Sequence, residues 1–371
     1  MTTKTTPSSL PTALDHLIAR SVERAGGWIG FDRFMALALY APGLGYYANT
    51  LAKFGHMPSS GSDFVTAPEL TPMFGQTLAA QVAEALEKTG TDTVWEFGAG
   101  SGALAVQLLH ALDEMGRSDV RYRIVDLSGT LRERQQQALV RHAGRVEWLN
   151  ELPEAMEGVV VGNEVLDAMP VQLLARVGGQ WFERGVVRNV AGDGWAWADR
   201  ATELRPPVEV PGAHDYLTEI HPQGKAFIAT LADRLKKGAA FFIDYGFPEA
   251  EYYHPQRHMG TVMCHQGHKA DGDPLADVGL KDITAHVDFT GVALAGQDAG
   301  LAVLGYTSQA RFLLNCGLLA RMERGSVGER GMAARLIHEH EMGELFKVLG
   351  FAVGEGWDAM GFVEGDRSHT L

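Results

Sequence analysis

Residues 94–102, VWEFGAGSG, join a short apolar run to a glycine-rich turn, and residues 103–116, ALAVQLLHALDEMG, continue with leucines at helical spacing. Gly98, Gly100 and Gly102 allow a tight turn and a close approach of a ligand to the backbone, because glycine has no Cβ. The turn leads into the N-terminus of a predicted helix, where backbone N–H groups favour a carboxylate or another anion. The stretch predicts a strand, a ligand-binding turn and a helix.

The spacing of the glycines distinguishes a dinucleotide site from an S-adenosylmethionine site. Dinucleotide-binding folds use Gly-x-Gly-x-x-Gly, whereas this chain has Gly-x-Gly-x-Gly, preceded by Glu96 at the end of the strand. This pattern resembles the cofactor loop of class I S-adenosylmethionine-dependent methyltransferases. It disfavours a nucleotide-dependent oxidoreductase, although glycine-rich turns are common and the turn alone does not decide between them.

A second acidic residue ends the next predicted strand. Residues 121–126, RYRIVD, finish on Asp126. An acid at this position can accept hydrogen bonds from ribose hydroxyls, and NAD enzymes hold one there as well. The alternative is an N-cap for the following helix. We interpret Asp126 as a ribose-binding residue that does not by itself choose the cofactor.

Strands alternate with helices over much of the chain, which predicts a parallel, doubly wound sheet. The predicted fold is α/β, of the class I methyltransferase type: Rossmann-like, with a mostly parallel seven-stranded sheet, an N-terminal helical cap and inserted antiparallel strands. The predicted division is a helical cap with a cofactor-covering loop (1–90), a methyltransferase core (91–170 and 216–371, with an irregular substrate-side insertion at 248–300) and an inserted antiparallel segment (171–215).

Three polar side chains follow the fourth predicted strand, within NEVLDAMPV at 163–171. Ligands of doubly wound sheets bind at the carboxyl ends of the strands. Methylation of amide or adenine nitrogen often uses an Asn/Asp-Pro-Pro-Tyr motif at this point, so its absence disfavours those acceptors. Glu164 and Asp167 suit a guanidinium, which carboxylates bind in a bidentate way, and either could take the departing proton. The alternative is that both only cap a helix.

The charge and composition of the chain limit which classes of binding partner and which cellular compartment we expect. A net charge of -14 argues against broad contact with nucleic acid or an anionic membrane, and is compatible with a cationic substrate. Two cysteines are too few for a disulfide framework. We find no leader pattern and no apolar stretch of membrane-spanning length, so we expect a cytoplasmic protein without membrane insertion. The oligomeric state stays open, a homodimer included.

Eight segments together resemble the MidA/NDUFAF7 family in order and spacing, over about residues 30–350. They are DFVTAPELTPMFG, VWEFGAGSGALAVQLL, IVDLSGTLRERQ, GNEVLDAMPV, FFIDYGF, GTVMCHQGH, DITAHVDFTGV and MGELFKVLGF. Mitochondrial members are linked to assembly of respiratory complex I and to symmetric dimethylation of an arginine in its 49-kDa subunit. The resemblance implies a protein-arginine methyltransferase. A small-molecule methyltransferase of the same fold and a catalytically silent assembly factor remain as alternatives.

The resemblance also implies roles for individual residues. Thr66, Pro68 and Glu69 belong to a loop expected to close over the cofactor, and Asp126 stands where many relatives carry Glu. Glu69 is a second candidate beside Glu164 and Asp167 for the catalytic acid–base role. The predicted residues for binding S-adenosyl-L-methionine are Thr66, Pro68, Glu96, Gly98, Gly100, Gly102, Asp126 and Asn163.

A segment rich in histidine and aspartate raises the question of a metal. Its candidate side chains are His265, His268, His286, Asp282 and Asp288. No pair has a recognised zinc spacing, and Cys264 has no cysteine partner nearby. We therefore predict no metal and expect a hydrogen-bonded wall of the substrate pocket, with 282–289 beside Asp244 and Tyr245. The predicted substrate contacts are Asp244, His286 and Asp288.

Overall fold

The computed structural model describes residues 9–49, 66–126, 129–267 and 269–371. Within them the helices are α1 (Ser9–Arg24), α2 (Phe31–Tyr40), α3 (Ala67–Leu70), α4 (Met73–Thr89), α5 (Ala103–Glu114), α6 (Gly129–Ala138), α7 (Pro222–Arg234), α8 (Glu249–Tyr252), α9 (Phe289–Asp298), α10 (Gln309–Asn315), α11 (Leu318–Arg324) and α12 (Val327–Ile337). Short 3₁₀ helices span Val140–Arg145, Met360–Phe362 and Ser368–Thr370. A π-helical turn spans Glu339–Gly343.

The strands in the same residues are β1 (Ile29–Gly30), β2 (Thr93–Phe97), β3 (Arg121–Val125), β4 (Val146–Leu149), β5 (Met156–Asn163), β6 (Gln172–Val177), β7 (Gln180–Arg188), β8 (Trp195–Ala201), β9 (Tyr216–Ile220), β10 (Leu235–Phe247), β11 (Met263–Gln266), β12 (Lys269–Asp271), β13 (Asp282–Thr284), β14 (Val287–Asp288), β15 (Leu301–Ser308) and β16 (Phe346–Val353). The chain divides into two compact units. Among the described residues, the core unit takes 66–126, 129–167, 223–252 and 286–371, and the second unit takes 9–49, 168–222, 253–267 and 269–285.

The core unit contains the predicted methyltransferase sheet. Its strand order is β15-β16-β10-β5-β2-β3-β4, and the short β14 pairs with β10 outside this path. The five strands from β4 to β10 are parallel, and β16 is antiparallel to both of its neighbours. The central strands are apolar runs with both faces buried, as parallel strands covered by helices require. This order confirms the mostly parallel seven-stranded sheet.

Glycines end two of the helices that cover this sheet. Gly90 follows α4 with φ +59°, and its N–H donates to the carbonyls of the last turn. Gly116 comes two residues after α5 with φ +77°. Both adopt the left-handed conformation that glycine reaches without a steric cost. Helix α4 begins at Met73, with Pro72 at the N-cap position.

The second unit is built on an antiparallel sheet of order β1-β7-β6-β9, with β8 beside β7. The apolar faces of α1 and α2 pack with residues of this sheet in one buried cluster. Trp195 contacts Phe34 and Trp197 contacts Phe31, with ring centroids 6.1 and 5.4 Å apart. A small sheet of order β12-β11-β13 completes the unit.

The observed units cut the chain at other places than the predicted division. Helices α1 and α2 belong with the inserted sheet, because their apolar stripes are buried there, whereas α3 and α4 belong with the core. Residues 248–300, predicted to be irregular, contain α8, α9 and four short strands. The sequence does not predict helix α9, because Gly291 and Gly296 lie within it and glycine weakens helices. A Cβ at Gly296 would lie 2.4 Å from the Phe351 ring, so close packing requires the glycine.

Candidate functional site

The glycine-rich turn lies between β2 and α5, at the carboxyl end of the central strand. Gly98, Gly100 and Gly102 have φ values of +65°, +53° and +86°. A Cβ at Gly98 would come within 3.1 Å of a Val165 methyl group, and one at Gly102 within 3.3 Å of the Gln135 Cα. The backbone conformation requires glycine at all three positions, and close packing adds a second requirement at Gly98 and Gly102.

Gln135 on α6 connects the turn to the predicted ribose-binding acid. This buried amide donates from Nε2 to the carbonyl oxygen of Gly100 at 3.0 Å and to Oδ2 of Asp126 at 2.8 Å. Trp148 donates to the Gln135 Oε1 at 3.0 Å and fixes the orientation of the amide. The Asp126 carboxylate is thereby held at the end of β3, beside the turn.

Residues 66–69 of the predicted covering loop lie against the same turn. Ser101 donates a hydrogen bond to the Glu69 carboxylate. Gln107 on α5 donates to the carbonyl oxygen of Pro68 at 2.7 Å. Thr66 occupies the N-cap position of α3, although its side chain makes no capping hydrogen bond. The preceding residues 50–65 lie outside the described residues.

Glu96 lies inside the sheet, behind the turn. Its carboxyl is 2% exposed and accepts a hydrogen bond from the Tyr122 hydroxyl at 2.8 Å. Burial raises the pKa of Glu96 to about 8, and the nearby charge of Asp126 adds to the rise. The carboxyl is therefore mostly protonated at neutral pH. The structure gives the Glu96 side chain a buried position beside Tyr122 of β3, and its predicted contact with the cofactor stays a prediction.

Asp244 on β10 organises the turn that follows β5. Its Oδ2 accepts hydrogen bonds from the backbone N–H groups of residues 165–167, at 3.1, 2.9 and 3.2 Å. Its Oδ1 accepts a fourth from the N–H of residue 245, at 2.9 Å. Burial, together with the carboxylates of Asp167 and Glu164, raises the pKa of Asp244 well above its ordinary range. In the structure this 1% exposed side chain holds the backbone of the turn, and the substrate contact predicted for Asp244 stays a prediction.

Asn163 and Glu164 stand side by side where β5 ends. Glu164 has φ +53°, which is costly for a residue with a Cβ, and its N–H is held by the carbonyl oxygen of Ile243 at 2.9 Å. The Asn163 amide donates to the Glu164 Oε1 at 3.0 Å. This bond orients the Asn163 Oδ1, which is buried and has no hydrogen-bond partner among the described residues. Buried acceptors are normally satisfied, so this atom marks a place for a donor.

Asp167 closes the same turn, and Tyr245 holds it. The Tyr245 hydroxyl donates to the Asp167 Oδ2 at 2.6 Å. The Tyr245 ring meets His286 and Phe346 edge-on, with centroids 5.2 and 5.4 Å apart. The expected placement of the 282–289 segment beside Asp244 and Tyr245 is confirmed for His286. We refer to residues 163–167 as the acidic turn.

A family comparison identifies the type of protein. Residues 77–307, which are more than half of the chain, match the model of a family described as "Putative S-adenosyl-L-methionine-dependent methyltransferase". The chain belongs to this family. Membership and the sheet order together confirm the predicted class I methyltransferase fold and S-adenosyl-L-methionine as the cofactor.

Individual relatives agree with the family assignment. The crystal structure of a "likely methyl transferase from Burkholderia thailandensis bound to S-adenosyl-homocysteine" is 48% identical, covers 100% of both chains and superposes with a TM-score of 0.94. The "Protein arginine methyltransferase NDUFAF7 homolog, mitochondrial" of Caenorhabditis elegans is 26% identical over 85% of this chain and 79% of its own length. The human protein arginine methyltransferase NDUFAF7 is 26% identical over 81% and 72%. The resemblance to the MidA/NDUFAF7 family is confirmed.

The histidine-rich segment is divided between the two units. Asp282 in the second unit accepts bonds from the Tyr47 hydroxyl at 2.8 and 2.9 Å. Asp288 in the core unit caps α9 by accepting from the Gly291 N–H at 3.0 Å, and is 1% exposed. Asp288 thus acts as a helix cap, and the substrate contact predicted for it stays a prediction. His268 lies outside the described residues.

Among the residues that the structure describes, no group of three or more histidine, cysteine, aspartate or glutamate side chains could hold a metal ion. The helices that the structure describes include none with the length and apolarity to cross a bilayer.

Sequence reasoning missed Gln135 and the hydroxyl of Tyr245. Gln135 belongs to the polar run RERQQQ, which is typical of an exposed helix. The available signal was its spacing of four from both Leu131 and Leu139, which places the amide on the apolar stripe. Tyr245 was noticed only as a neighbour, because its bond to Asp167 spans 78 residues of sequence.

Proposed function

We propose that the chain transfers the methyl group of S-adenosyl-L-methionine to a side-chain nitrogen of arginine in a protein. The observation that carries the proposal is the contact between the glycine-rich turn and the acidic turn. Strands β2 and β5 are direct neighbours, with Phe97 paired to Gly162. Both turns leave the same edge of the sheet, and a Cβ on Gly98 would touch Val165. A cofactor on the first turn is therefore adjacent to the carboxylates of the second.

The residues present fit the cofactor. The N-terminus of α5 suits the carboxylate of its methionine part, and Asp126 suits the ribose hydroxyls. The Asn163 Oδ1 offers a buried acceptor to a donor of the cofactor. Bound there, the sulfonium supplies an electrophilic methyl group. We assign Thr66, Pro68 and Glu69 to the cofactor side, since Ser101 and Gln107 tie this segment to the glycine-rich turn and α5.

The acidic turn supplies the acceptor side. We assign Glu164, which is half-buried, to hold the guanidinium plane by charge-assisted hydrogen bonds and to take the proton that the nitrogen loses. Asp167 is positioned by Tyr245 and adds a second carboxylate for the same group. His286 lies against the Tyr245 ring and lines this side. The similarity to protein arginine methyltransferases, at about one-quarter identity, supports arginine as the acceptor.

The experiment that tests the function has two steps. Calorimetric titration with S-adenosyl-L-methionine and, separately, NAD should give saturable binding of the first only. The protein is then incubated with methyl-labelled cofactor and a protein extract, and the labelled product is hydrolysed and searched for methylarginine. The first purified acceptor to try is a complex I subunit of the 49-kDa type. Label in small molecules alone would contradict a protein substrate, and no transfer with intact binding would favour the assembly-factor alternative.

Asp126→Asn is expected to weaken binding of S-adenosyl-L-methionine about 10- to 100-fold, because it removes the charge that strengthens hydrogen bonds from ribose hydroxyls. Asparagine can still accept the bond from Gln135, so the turn should keep its shape. Calorimetric titration measures the change. Asp119→Asn, at an exposed site just before β3, is the matched control and should bind as the parent does. Equal affinity in both variants would contradict the ribose assignment.

Tyr245→Phe is expected to lower kcat about tenfold while the affinity for S-adenosyl-L-methionine changes less than about twofold. The variant keeps the ring contacts with His286 and Phe346 and loses only the hydroxyl that positions Asp167. Steady-state kinetics with a methylated protein acceptor, paired with calorimetry, separates the two effects. Tyr253→Phe in the second unit, whose hydroxyl also makes a hydrogen bond, is the control. An unchanged kcat would remove Asp167 from the proposed reaction.

A further inference from the structure

The core unit contains a cavity of about 390 Å³ beyond the acidic turn. Its lining includes two aromatic, two acidic and two basic side chains, which are Phe247, Tyr306, Glu251, Glu339, Lys347 and Arg367. Tyr306 and Lys347 are buried, whereas Glu251 and Glu339 are exposed at the rim. No role in the proposed reaction has been given to these six side chains.

The cavity has unpaired negative charge. Arg367 donates to the Glu344 carboxylate from both terminal nitrogens, and Lys347 lies 3.8 Å from the same carboxylate. Both cations are therefore engaged within the chain. By contrast, neither Glu251 nor Glu339 has an ion-pair partner in the part of the chain that the structure describes. The charge left for a ligand is negative, which favours a cation over an anion.

Tyr306 gives a second, independent indication of a ligand. The side chain is fully buried, and its hydroxyl makes no hydrogen bond with any described residue. Buried hydroxyls are normally paired, and an exception requires an explanation. Burial, with the negative charge of Glu251 nearby, raises the pKa of Tyr306, so the hydroxyl stays neutral and can accept a hydrogen bond. The unmet bond at the cavity wall suits a cationic N–H donor.

The cavity is next to the acidic turn along β10. Phe247 lines the cavity and stands two residues after Tyr245, so the two side chains share a face of the sheet about 7 Å apart. His286 contacts both rings at 5.2 Å, and Tyr245 bonds to Asp167. The rim includes the π-helical turn, where Glu341 has the non-helical angles φ -116° and ψ -113°. Such turns are frequent at functional sites.

We propose that this cavity binds a second cationic side chain of the protein substrate, close in sequence to the arginine that is methylated. The proposal rests on the proposed function, which it extends to the recognition of the substrate. Glu251, Glu339 and the Tyr306 hydroxyl provide acceptors for a guanidinium or ammonium group, and Phe247 provides an aromatic wall for its stem. The separation of about 7 Å between Tyr245 and Phe247 corresponds to two residues of an extended peptide.

The test compares two peptides in the absence of cofactor: acetyl-Arg-Gly-Arg-amide and acetyl-Arg-Gly-citrulline-amide, which lacks one charge. The parent chain should bind the first at least about tenfold more tightly, as expected for charge-assisted hydrogen bonds. Tyr306→Phe and Glu251→Gln should each reduce this preference about tenfold or to unity, and leave the affinity for the single-arginine peptide unchanged. Glu355→Gln, an exposed control beyond the opposite end of β16, should keep the preference.

The outcomes separate this proposal from the proposed function. Tyr306→Phe removes a hydroxyl without a partner, so the melting temperature of the variant should equal that of the parent. A structural role of the hydroxyl would instead require a lower melting temperature. No preference in the parent chain, or a preference that survives in both variants, would overturn the proposal. A preference that behaves as expected in a chain that transfers no methyl group would support the cavity and refute the proposed reaction.

Discussion

Gly100→Val should weaken binding of S-adenosyl-L-methionine by about a thousandfold or more, so that calorimetry detects none. Gly100 has φ +53°, a conformation that a β-branched residue almost never adopts. The backbone of the variant must therefore leave this conformation, and the two hydrogen bonds that connect the turn with Asp126 should be disturbed. The Gly100 carbonyl oxygen accepts from Gln135, and Gln135 in turn holds Asp126, so the anion-binding turn and the ribose-binding acid should lose their arrangement together.

Gly116→Val is the matched control for this experiment. Gly116 also has a positive φ, +77°, but it follows α5 at an exposed position where an added Cβ meets nothing within 4 Å. Both variants carry a similar backbone penalty, and both should melt at a lower temperature than the parent. Only Gly100→Val should lose the cofactor. Retained binding in Gly100→Val would mean that the turn between β2 and α5 is not the cofactor site.

The central strands β2, β5 and β10 of the core sheet could be predicted from sequence because they are apolar runs buried on both faces. Residues 93–97 form β2 as expected, and 121–125 form β3. The glycine-rich turn was equally accessible, since a left-handed backbone conformation restricts the residue type to glycine. These features are local, and local constraints appear in the sequence itself.

Helices α10, α11 and α12 could not be predicted in the same way. Two of them have seven residues, which is too short for a clear apolar stripe. Their boundaries depend on Ser308, Gly317 and Ser326, and the last of these forms a capping box with Glu329. Packing against α4 and one another specifies them, and packing partners are not visible in one sequence.

The candidate site shows the same division between local and distant information. Asp244 and Asp167 were selected as acids at the ends of strands, which is a local observation. The difference in their surroundings depends on the pairing of β10 with β5, which sets Ile243 opposite Asn163. Only this register brings the Asp244 carboxylate to the N–H groups of 165–167, and therefore distinguishes a buried support from a candidate for substrate contact.

The buried Glu96 carboxyl should make the stability of the folded chain depend on pH. Burial raises its pKa in the folded chain to about 8, from an ordinary value of 4.5. Between these pH values the folded chain retains a proton that the unfolded chain has lost. The associated stability is complete below about pH 4.5 and is lost as the pH rises through about 8, to a total on the order of 5 kcal/mol.

Glu96→Gln should remove this dependence, because glutamine is neutral at every pH and can accept the same bond from Tyr122. Relative to the parent, the variant should gain stability between about pH 4.5 and 8, by several kcal/mol in total at about 1.4 kcal/mol per pH unit, and the difference should level off above about pH 8. Urea-induced unfolding of both proteins across this range measures the difference at each pH, so that contributions from other titrating groups cancel.

Glu87→Gln on the exposed face of α4 provides the control, since its side chain remains in water when the chain folds. The difference between this variant and the parent should stay constant with pH. A constant difference for Glu96→Gln as well would show that the Glu96 carboxyl is already ionised in the folded chain at neutral pH. The charge would then have to be satisfied by donors beyond Tyr122, and the bond between Glu96 and Tyr122 would be charge-assisted rather than a neutral hydrogen bond within the sheet.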